Sequence, residues 1–372
     1  MIPVSKPLLS TKEINHMEKV FKTGWLGLGS VTKDFENRLK NYINSKNIVA
    51  TNTGTTAIHL AIDSYRIGKG DEVIVPSMTY AAGIQAIISS GATPVFVECQ
   101  KQNLLIDIND VKKKITEKTK AIMPVHYCGQ ACDMDELLDI GESKKIKIIE
   151  DAAHAIGSKY KEKNIGSFGH ATCFSFDPIK VITSGEGGAV STNDDELASI
   201  MKRKRILGID KETWSRYKNK RKMFYDVVDV GYRYHMPNFC AAIGIEQLKE
   251  IDSFISKRKK ICKTYDNTLK NLKNVKPLTV DYDSSAPFIY ILKIKNNLRS
   301  KFIKHLKKAE IDTAIHYIPN HYHSYFKKFF HTSLPITESI GKEIVTIPLF
   351  VELNQKQLSH IINSILEFDK LS

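Results

Sequence analysis

No stretch of 18 or more consecutive apolar residues occurs in this chain of 372, so no segment reads as a membrane span. The amino-terminal MIPVSKPLLSTKEI lacks the apolar core and the small-residue cleavage site of a signal peptide. Both absences predict a cytoplasmic protein with no membrane partner. Cysteine is sparse and scattered, at positions 99, 128, 132, 173, 240 and 262. Only Cys128 and Cys132 are close, and no second pair matches them. That excludes a disulfide framework and argues against a zinc site. Internal repeats and low-complexity segments are missing. So are the RNP, KH, zinc-finger and helix-turn-helix signatures that would give meaning to a net charge of +14. The basic runs KRKR (202–205), RYKNKRK (216–222) and KRKK (257–260) therefore read as solvated helix faces, and nucleic acid is not an expected partner. A positive field does attract an anionic small substrate.

What is present is an ordinary globular composition, 42% hydrophobic and 26% charged, in a length that suggests two domains. Through the first two-thirds, short Val- and Ile-rich runs alternate with amphipathic stretches. EVIVP (72–76), TPVFVE (93–98), AIMPV (121–125) and IKIIED (146–151) lack in-out alternation, as strands covered on both faces do. TTAIHLAIDSYRI and YAAGIQAIISSG between them have helical spacing. This rhythm predicts an α/β fold whose ligands bind at the carboxyl ends of the strands. The last third differs. A long helical pattern starts at FCAAIGIEQLKEI. FIYILKIK (288–295) alternates like a strand of a smaller sheet, and two amphipathic helices flank it. The expected division is a large unit over 1–245 and a small α+β unit over 246–372. The first 20 or so residues are expected to join or bridge to the small unit.

Four pieces carry chemistry. In TNTGTTAIHL, Gly54 ends a small-residue turn and Thr55 and Thr56 open a helix. Its free N–H groups and hydroxyls suit a phosphate, although a plain N-cap looks the same in sequence. In IIEDAAHAIG, Glu150 and Asp151 end a buried strand. Asp151 there wants a partner such as a heteroaromatic N–H⁺, unless it only caps a following helix. PSMTYAAGI places Tyr80 at another strand end, as a stacking ring or as a core tyrosine. In FSFDPIKVITSGEGGAV, Lys180 follows a strand and precedes a glycine-rich turn, and Ser175 lies five residues earlier. A phosphate cradle, an acid, a stacking ring and a lysine at adjacent strand ends together specify pyridoxal 5′-phosphate (PLP). A desolvated lysine condenses with its aldehyde, and an aspartate keeps its ring nitrogen protonated.

The sequence resembles the DegT/DnrJ/EryC1/StrS family of sugar aminotransferases over nearly its whole length. GWLGLGSVTKDFENRLKNY, TGTTAIHLAI, VIVPSMTYAA, AIMPVHYCGQACDMDEL, EDAAHAIGS, FSFDPIKVITSGEGGAVSTND, GYRYHMPNFCAAIGIEQL and IHYIPNH occur in family order. The resemblance implies the fold type I architecture of aspartate aminotransferase, with a mostly parallel seven-stranded sheet in the large domain and a smaller α+β domain. It implies Lys180 as the Schiff-base lysine and Asp151 as the ring-nitrogen partner. His154 falls at the position over or beside the ring hydroxyl. Tyr80 is the stacking ring, and Thr55, Thr56 and Ser175 are phosphate ligands. Glu186 in SGEGG shapes a turn. His316, Tyr317 and His321 in the HYIPNH segment become candidate substrate contacts. The cluster His316, His321, His323 and His331 lacks metal-site spacing, and no metal is expected.

The resemblance further implies a homodimer with shared active sites. In the family a G-Y-N-Y-R segment sends its Asn to the neighbouring subunit's cofactor phosphate. Here that segment reads Gly231-Tyr232-Arg233-Tyr234-His235, with Arg233 in place of the Asn. The implied reaction moves an amino group from L-glutamate to a nucleotide-linked 3-keto or 4-keto deoxyhexose. Its product is an aminodeoxy sugar for lipopolysaccharide, another surface glycan or a secondary metabolite. Two alternatives share the fold: amination of a non-nucleotide cyclic ketone such as a cyclitol, and a non-catalytic PLP-binding regulator. Dehydratase relatives carry His at the lysine position, and Lys180 argues against that chemistry.

Overall fold

The structure, a computed structural model, describes residues 1–210 and 225–372. The basic run at 216–222 lies outside the described residues. Seven strands form the main sheet: β1 (Asn47–Thr51), β2 (Glu72–Pro76), β3 (Thr93–Val97), β4 (Thr119–Ile122), β5 (Lys147–Asp151), β8 (Ala171–Ser175) and β9 (Gly188–Thr192). A two-stranded ribbon, β6 (Lys159–Tyr160) and β7 (Lys163–Asn164), falls between β5 and β8. The sheet order is β1-β9-β8-β5-β4-β2-β3, parallel except for β9, which runs antiparallel to both neighbours. The expected mostly parallel seven-stranded sheet is therefore present. Strand β4 ends earlier than its apolar run, because Pro124 has no N–H to continue the ladder.

Helices cover both faces: α1 (Thr11–Lys22), α2 (Ser30–Ile43), α3 (Gly54–Ser64), α4 (Ala81–Ser89), α5 (Ile108–Lys114), α6 (Met134–Lys144) and α7 (Asp195–Lys204). Ile148 packs with Phe35, Leu39 and Phe174 on one side, while its neighbour Ile149 packs with Val49, Leu60 and Val75 on the other. Successive residues of a strand point to opposite faces, so both must be apolar when both faces are covered.

Helix α8 (Asn238–Leu269) runs through residue 246 without a break. Its Leu248, Ile251 and Ile255 pack into the large unit's core, whereas Ile261, Cys262 and Tyr265 pack into the small unit's. The small unit is an antiparallel sheet, β10 (Val275–Pro277), β11 (Tyr290–Ile294) and β12 (Ile344–Ile347). Four helices complete the chain: α9 (Arg299–Lys308), α10 (Ser324–Phe329), α11 (Pro335–Gly341) and α12 (Gln355–Leu371). The amino terminus joins both units. Ile2 exchanges backbone hydrogen bonds with Glu310 and Asp312, at 2.7 and 2.9 Å, and Leu349 N–H donates to Val4 at 3.0 Å. Helix α1 then lies on α8, where His16 meets Glu246 at 2.7 Å. No described helix is long and apolar enough to cross a membrane.

Candidate active site

A cleft of about 350 Å³ opens over the carboxyl ends of β1, β2, β4, β5 and β8. It gathers residues far apart in sequence: Thr53, Gly54 and Thr55, then Thr79 and Tyr80, then Asp151 and His154, then Ser175, Asp177, Ile179 and Lys180, and finally His316 and Tyr317. Parallel strands end at the same edge, and the turns that follow them converge there.

Lys180 is presented by a tight turn after β8. Asp177 Oδ1 accepts from Ile179 N–H at 3.0 Å, and the Lys180 N–H donates to the Asp177 carbonyl at 3.1 Å. Asp followed by Pro favours such a turn. Nζ lies 4.3 Å from the centre of the Phe288 ring. Burial pushes the ammonium down to about 8, against the opposing pull of Asp151 and Asp177. Desolvation makes the amine a nucleophile near neutral pH.

Asp151 ends β5 and is 5% exposed. Its Oδ1 accepts from Ala153 N–H at 3.1 Å, and no helix follows, so capping is not its role. Burial raises its pKa, opposed by the Ala153 N–H and by the charge of Lys180. A buried carboxyl held up by desolvation gains most from a cationic N–H partner. Glu150, on the opposite face, is already committed. It accepts from Thr172 Oγ1 at 2.6 Å and from His126 Nε2 at 2.8 Å. His126 Nδ1 accepts the Cys132 N–H at 3.1 Å, so the proton sits on Nε2. Sequence reading missed this buried pair, although both residues lie inside the quoted motifs.

Helix α3 supplies the cradle. Thr53 is its N-cap and forms a capping box with Thr56. The cap takes the Thr56 N–H, while helix geometry leaves those of Gly54 and Thr55 without intrahelical partners. The N-cap reading and the anion reading thus hold together. Thr55 lines the cleft, but the Thr56 hydroxyl is tied to Asn52 Oδ1 at 2.7 Å and to Thr53. Ser175 lines the cleft against the start of α3. A Cβ on Gly54 would stand 2.8 Å from Ser175 Cβ, and one on Gly188 would stand 2.2 Å from the Thr53 carbonyl oxygen. These two glycines let backbone come close enough to close the cradle.

Tyr80 is 62% exposed, which rules out a core tyrosine; its ring stands at the cleft 5.7 Å from that of Tyr317. His154 is 5% exposed and sits between Phe288 and Tyr317, with ring centres at 4.4 and 5.9 Å. Burial holds its imidazole neutral. Nε2 meets the Tyr317 hydroxyl at 2.9 Å, and Nδ1 is buried with no partner. His316 lines the cleft, is pushed down to about 4 by burial, and bonds Thr346 Oγ1 at 2.8 Å. His321 lies outside the cleft, between Ser77 Oγ at 2.7 Å and Glu338 at 3.4 Å. Asp177 and Glu186 also line the cleft, Glu186 as more than a turn residue. Arg233 is exposed and does not line its own chain's cleft. Its neighbours Tyr232 and Tyr234 turn toward α3, where they meet Asp63 at 3.1 Å and His59 at 3.3 Å.

These groups fit PLP part by part. The amine suits its aldehyde, the cradle its phosphate, the desolvated acid its ring nitrogen, and the exposed ring its flat face. The orphaned buried imidazole suits its ring hydroxyl.

Comparison with known proteins agrees. The model of the DegT/DnrJ/EryC1/StrS aminotransferase family matches residues 7–366. GDP-perosamine synthase of Escherichia coli O157:H7 is 35% identical over 99% of this chain and 98% of its own length. The UDP-4-amino-4-deoxy-L-arabinose–oxoglutarate aminotransferase of Shewanella sediminis is 32% identical over 98% and 97%. Among solved structures, Spr1654 of Streptococcus pneumoniae in its PMP form superposes with a TM-score of 0.94 at 30% identity, covering 100% of this chain and 99% of that one. The same protein is solved in a PLP form.

Proposed function

The chain belongs to the DegT/DnrJ/EryC1/StrS aminotransferase family and is a PLP-dependent aminotransferase, and from that premise we propose that it moves an amino group from L-glutamate to the ketone of a nucleotide-linked sugar. The observation that carries the reading is the convergence of Lys180, Asp151, His154 and Tyr80 on one cleft. The nucleotide-sugar part is supported by the names of the E. coli and S. sediminis relatives, and the amino donor by the oxoglutarate in the latter.

When bound, PLP supplies an aldehyde carbon that amines condense with and a ring that takes up electrons released at the substrate's Cα. Lys180 would hold it covalently, Asp151 would keep its ring nitrogen protonated, and Gly54, Thr55 and Ser175 would hold its phosphate. Tyr80 would cover its ring, and His154 would meet its hydroxyl. Thr56 supports the cradle from behind rather than by contact. Lys180 would be the base that takes the proton from the donor's Cα and the acid that delivers it to the carbon supplied by the aldehyde. Its amine is free for this near neutral pH because burial has lowered its proton affinity. Donor and acceptor would visit the same cleft in turn. His316 stands at its wall, neutral and able to hydrogen-bond a sugar or carboxylate oxygen. Arg233 would reach the cleft of a second copy, where its guanidinium fork suits a cofactor phosphate or a substrate diphosphate.

The test is a panel of nucleotide-linked 3-keto and 4-keto deoxyhexoses with L-glutamate, read by mass spectrometry of the aminated sugar and by 2-oxoglutarate release. Amination of free cyclitol ketones with no turnover of any nucleotide sugar would replace the reading.

A further inference from the structure

We propose that Tyr317 is a positioning residue for the cofactor, holding the His154 imidazole by its hydroxyl so that the ring can donate to the cofactor's ring oxygen. The inference rests on the placement of that oxygen at His154 in the preceding reading, and it moves Tyr317 from the substrate contacts to the cofactor's supports.

The geometry is a stack with one polar pin. Phe288 and Tyr317 flank the imidazole, with ring centres at 4.4 and 5.9 Å, and the Tyr317 and His154 planes are 25° apart. Stacked rings set the plane of an imidazole but not its rotation within that plane. Rotation and tautomer are set by hydrogen bonds. Nδ1 has no partner, so the bond in which Nε2 accepts the Tyr317 hydroxyl, at 2.9 Å, is the polar contact that fixes both and leaves the proton on Nδ1. Tyr317 is itself held on several sides, by its ring contacts with Tyr80, Tyr127 and His316. Tyr127 also donates its hydroxyl to the His316 carbonyl, anchoring the segment that carries Tyr317. A buried imidazole with one anchor depends on that anchor, and a hydrogen bond to an ionised oxygen contributes more than a neutral one. The charged and titratable groups that act on this pair are Lys180 and His316 around His154, and Asp151, Asp177, Tyr80 and Cys128 around Tyr317.

The experiment compares Tyr317→Phe, His154→Gln and the double variant as PLP-loaded proteins. Tyr317→Phe keeps the stacked ring and removes the pin. PLP should bind about tenfold more weakly, and the pH midpoint of the lysine-bound cofactor's visible absorbance should rise by about one unit, because an unsupported ring oxygen holds its proton more tightly. In His154→Gln the amide supplies a donor that needs no imidazole tautomer, so adding Tyr317→Phe should change neither readout further. A Tyr317→Phe protein with native affinity and absorbance midpoint but a raised KM for the sugar would return Tyr317 to the substrate contacts and overturn the inference. If His154→Gln and His154→Ala both leave the cofactor's absorbance unchanged, the placement of the ring oxygen at His154 fails instead.

Discussion

At Lys180 the turn Asp177-Pro178-Ile179-Lys180 does what the flanking sequence hints at: it takes an ammonium out of water beside an aromatic ring. Its pKa of about 8 makes a pH prediction. Below that pH the folded protein must deprotonate the amine before it can attack an aldehyde. Capture of PLP by the cofactor-free protein should therefore quicken about tenfold per unit up to about pH 8 and level off above it. Stopped-flow absorbance measures this, and a rise continuing to pH 10 would show an ordinary lysine. Lys180→Ala should lose the absorbance that borohydride fixes in the native protein, and all transfer with it. Peptide mapping that finds the reduced label on another lysine would move the assignment.

Asp151→Asn belongs to the same scale. The amide can still be buried against the Ala153 N–H, so the fold and the bond to Lys180 should survive. It cannot keep a ring nitrogen protonated. Turnover should fall about a hundredfold or more, equivalent to about 3 kcal/mol of transition-state stabilisation. The structure narrows the alternatives, since Glu150 on the other face is already bound to Thr172 and His126. Near-native turnover with glutamate would mean that some other group serves the ring nitrogen.

At the scale of elements, the start of α3 is where local and tertiary demands meet. Thr53 and Thr56 cap the helix as many sequences do, and the same cap turns the Gly54 and Thr55 N–H groups toward the end of β8. Gly54→Ala would put a Cβ 2.8 Å from that of Ser175 and push the helix start away from the strand. PLP affinity should fall about tenfold, read by equilibrium titration, with the helix itself intact by circular dichroism because Ala favours helix. Unchanged affinity would place the phosphate elsewhere. The basic runs show the opposite lesson. In KRKR, Lys204 and Arg205 are not solvated: Lys204 bonds Asp63 at 2.7 Å, and Arg205 bonds Glu36 at 2.5 Å and the Ala50 carbonyl at 2.9 Å. In KRKK, Arg258 is buried and donates to the carbonyls of Phe288 and Leu349 at 3.1 and 3.0 Å, tying α8 to the small unit. Composition counts these as surface charge, but they are interior fastenings.

For the whole molecule, the proposed sharing of sites between two copies gives the sharpest test. Tyr232 and Tyr234 turn inward, which leaves Arg233 directed away from its own core. Lys180→Ala and Arg233→Ala should each be inactive alone. Mixed under conditions of subunit exchange, they should regain activity, because one site of the mixed dimer then carries both defects and the other neither. Full activity of Arg233→Ala alone, or no recovery despite proven exchange, would end the cross-subunit role.

The sequence by itself determined the α/β rhythm, the strand positions of β2, β3 and β5, and the candidates at their carboxyl ends. These are local facts: apolar runs of strand length, turn residues after them, and reactive side chains just beyond. Lys180, Asp151 and Tyr80 were legible because each directly follows or ends such a run. The tertiary structure alone decided which hydroxyls face the cleft. Thr55 and Thr56 are adjacent in sequence, but neighbouring side chains on a helix point about 100° apart, and the cap claims Thr56. It alone separated His321 from His316, five residues apart, since that distinction depends on packing against Ser77 and Glu338. It alone revealed the pairing of His126 with Glu150 and of His154 with Tyr317, because partners 24 and 163 residues apart leave no periodic trace in the chain. Local sequence sets which groups are available, and long-range packing sets which of them meet.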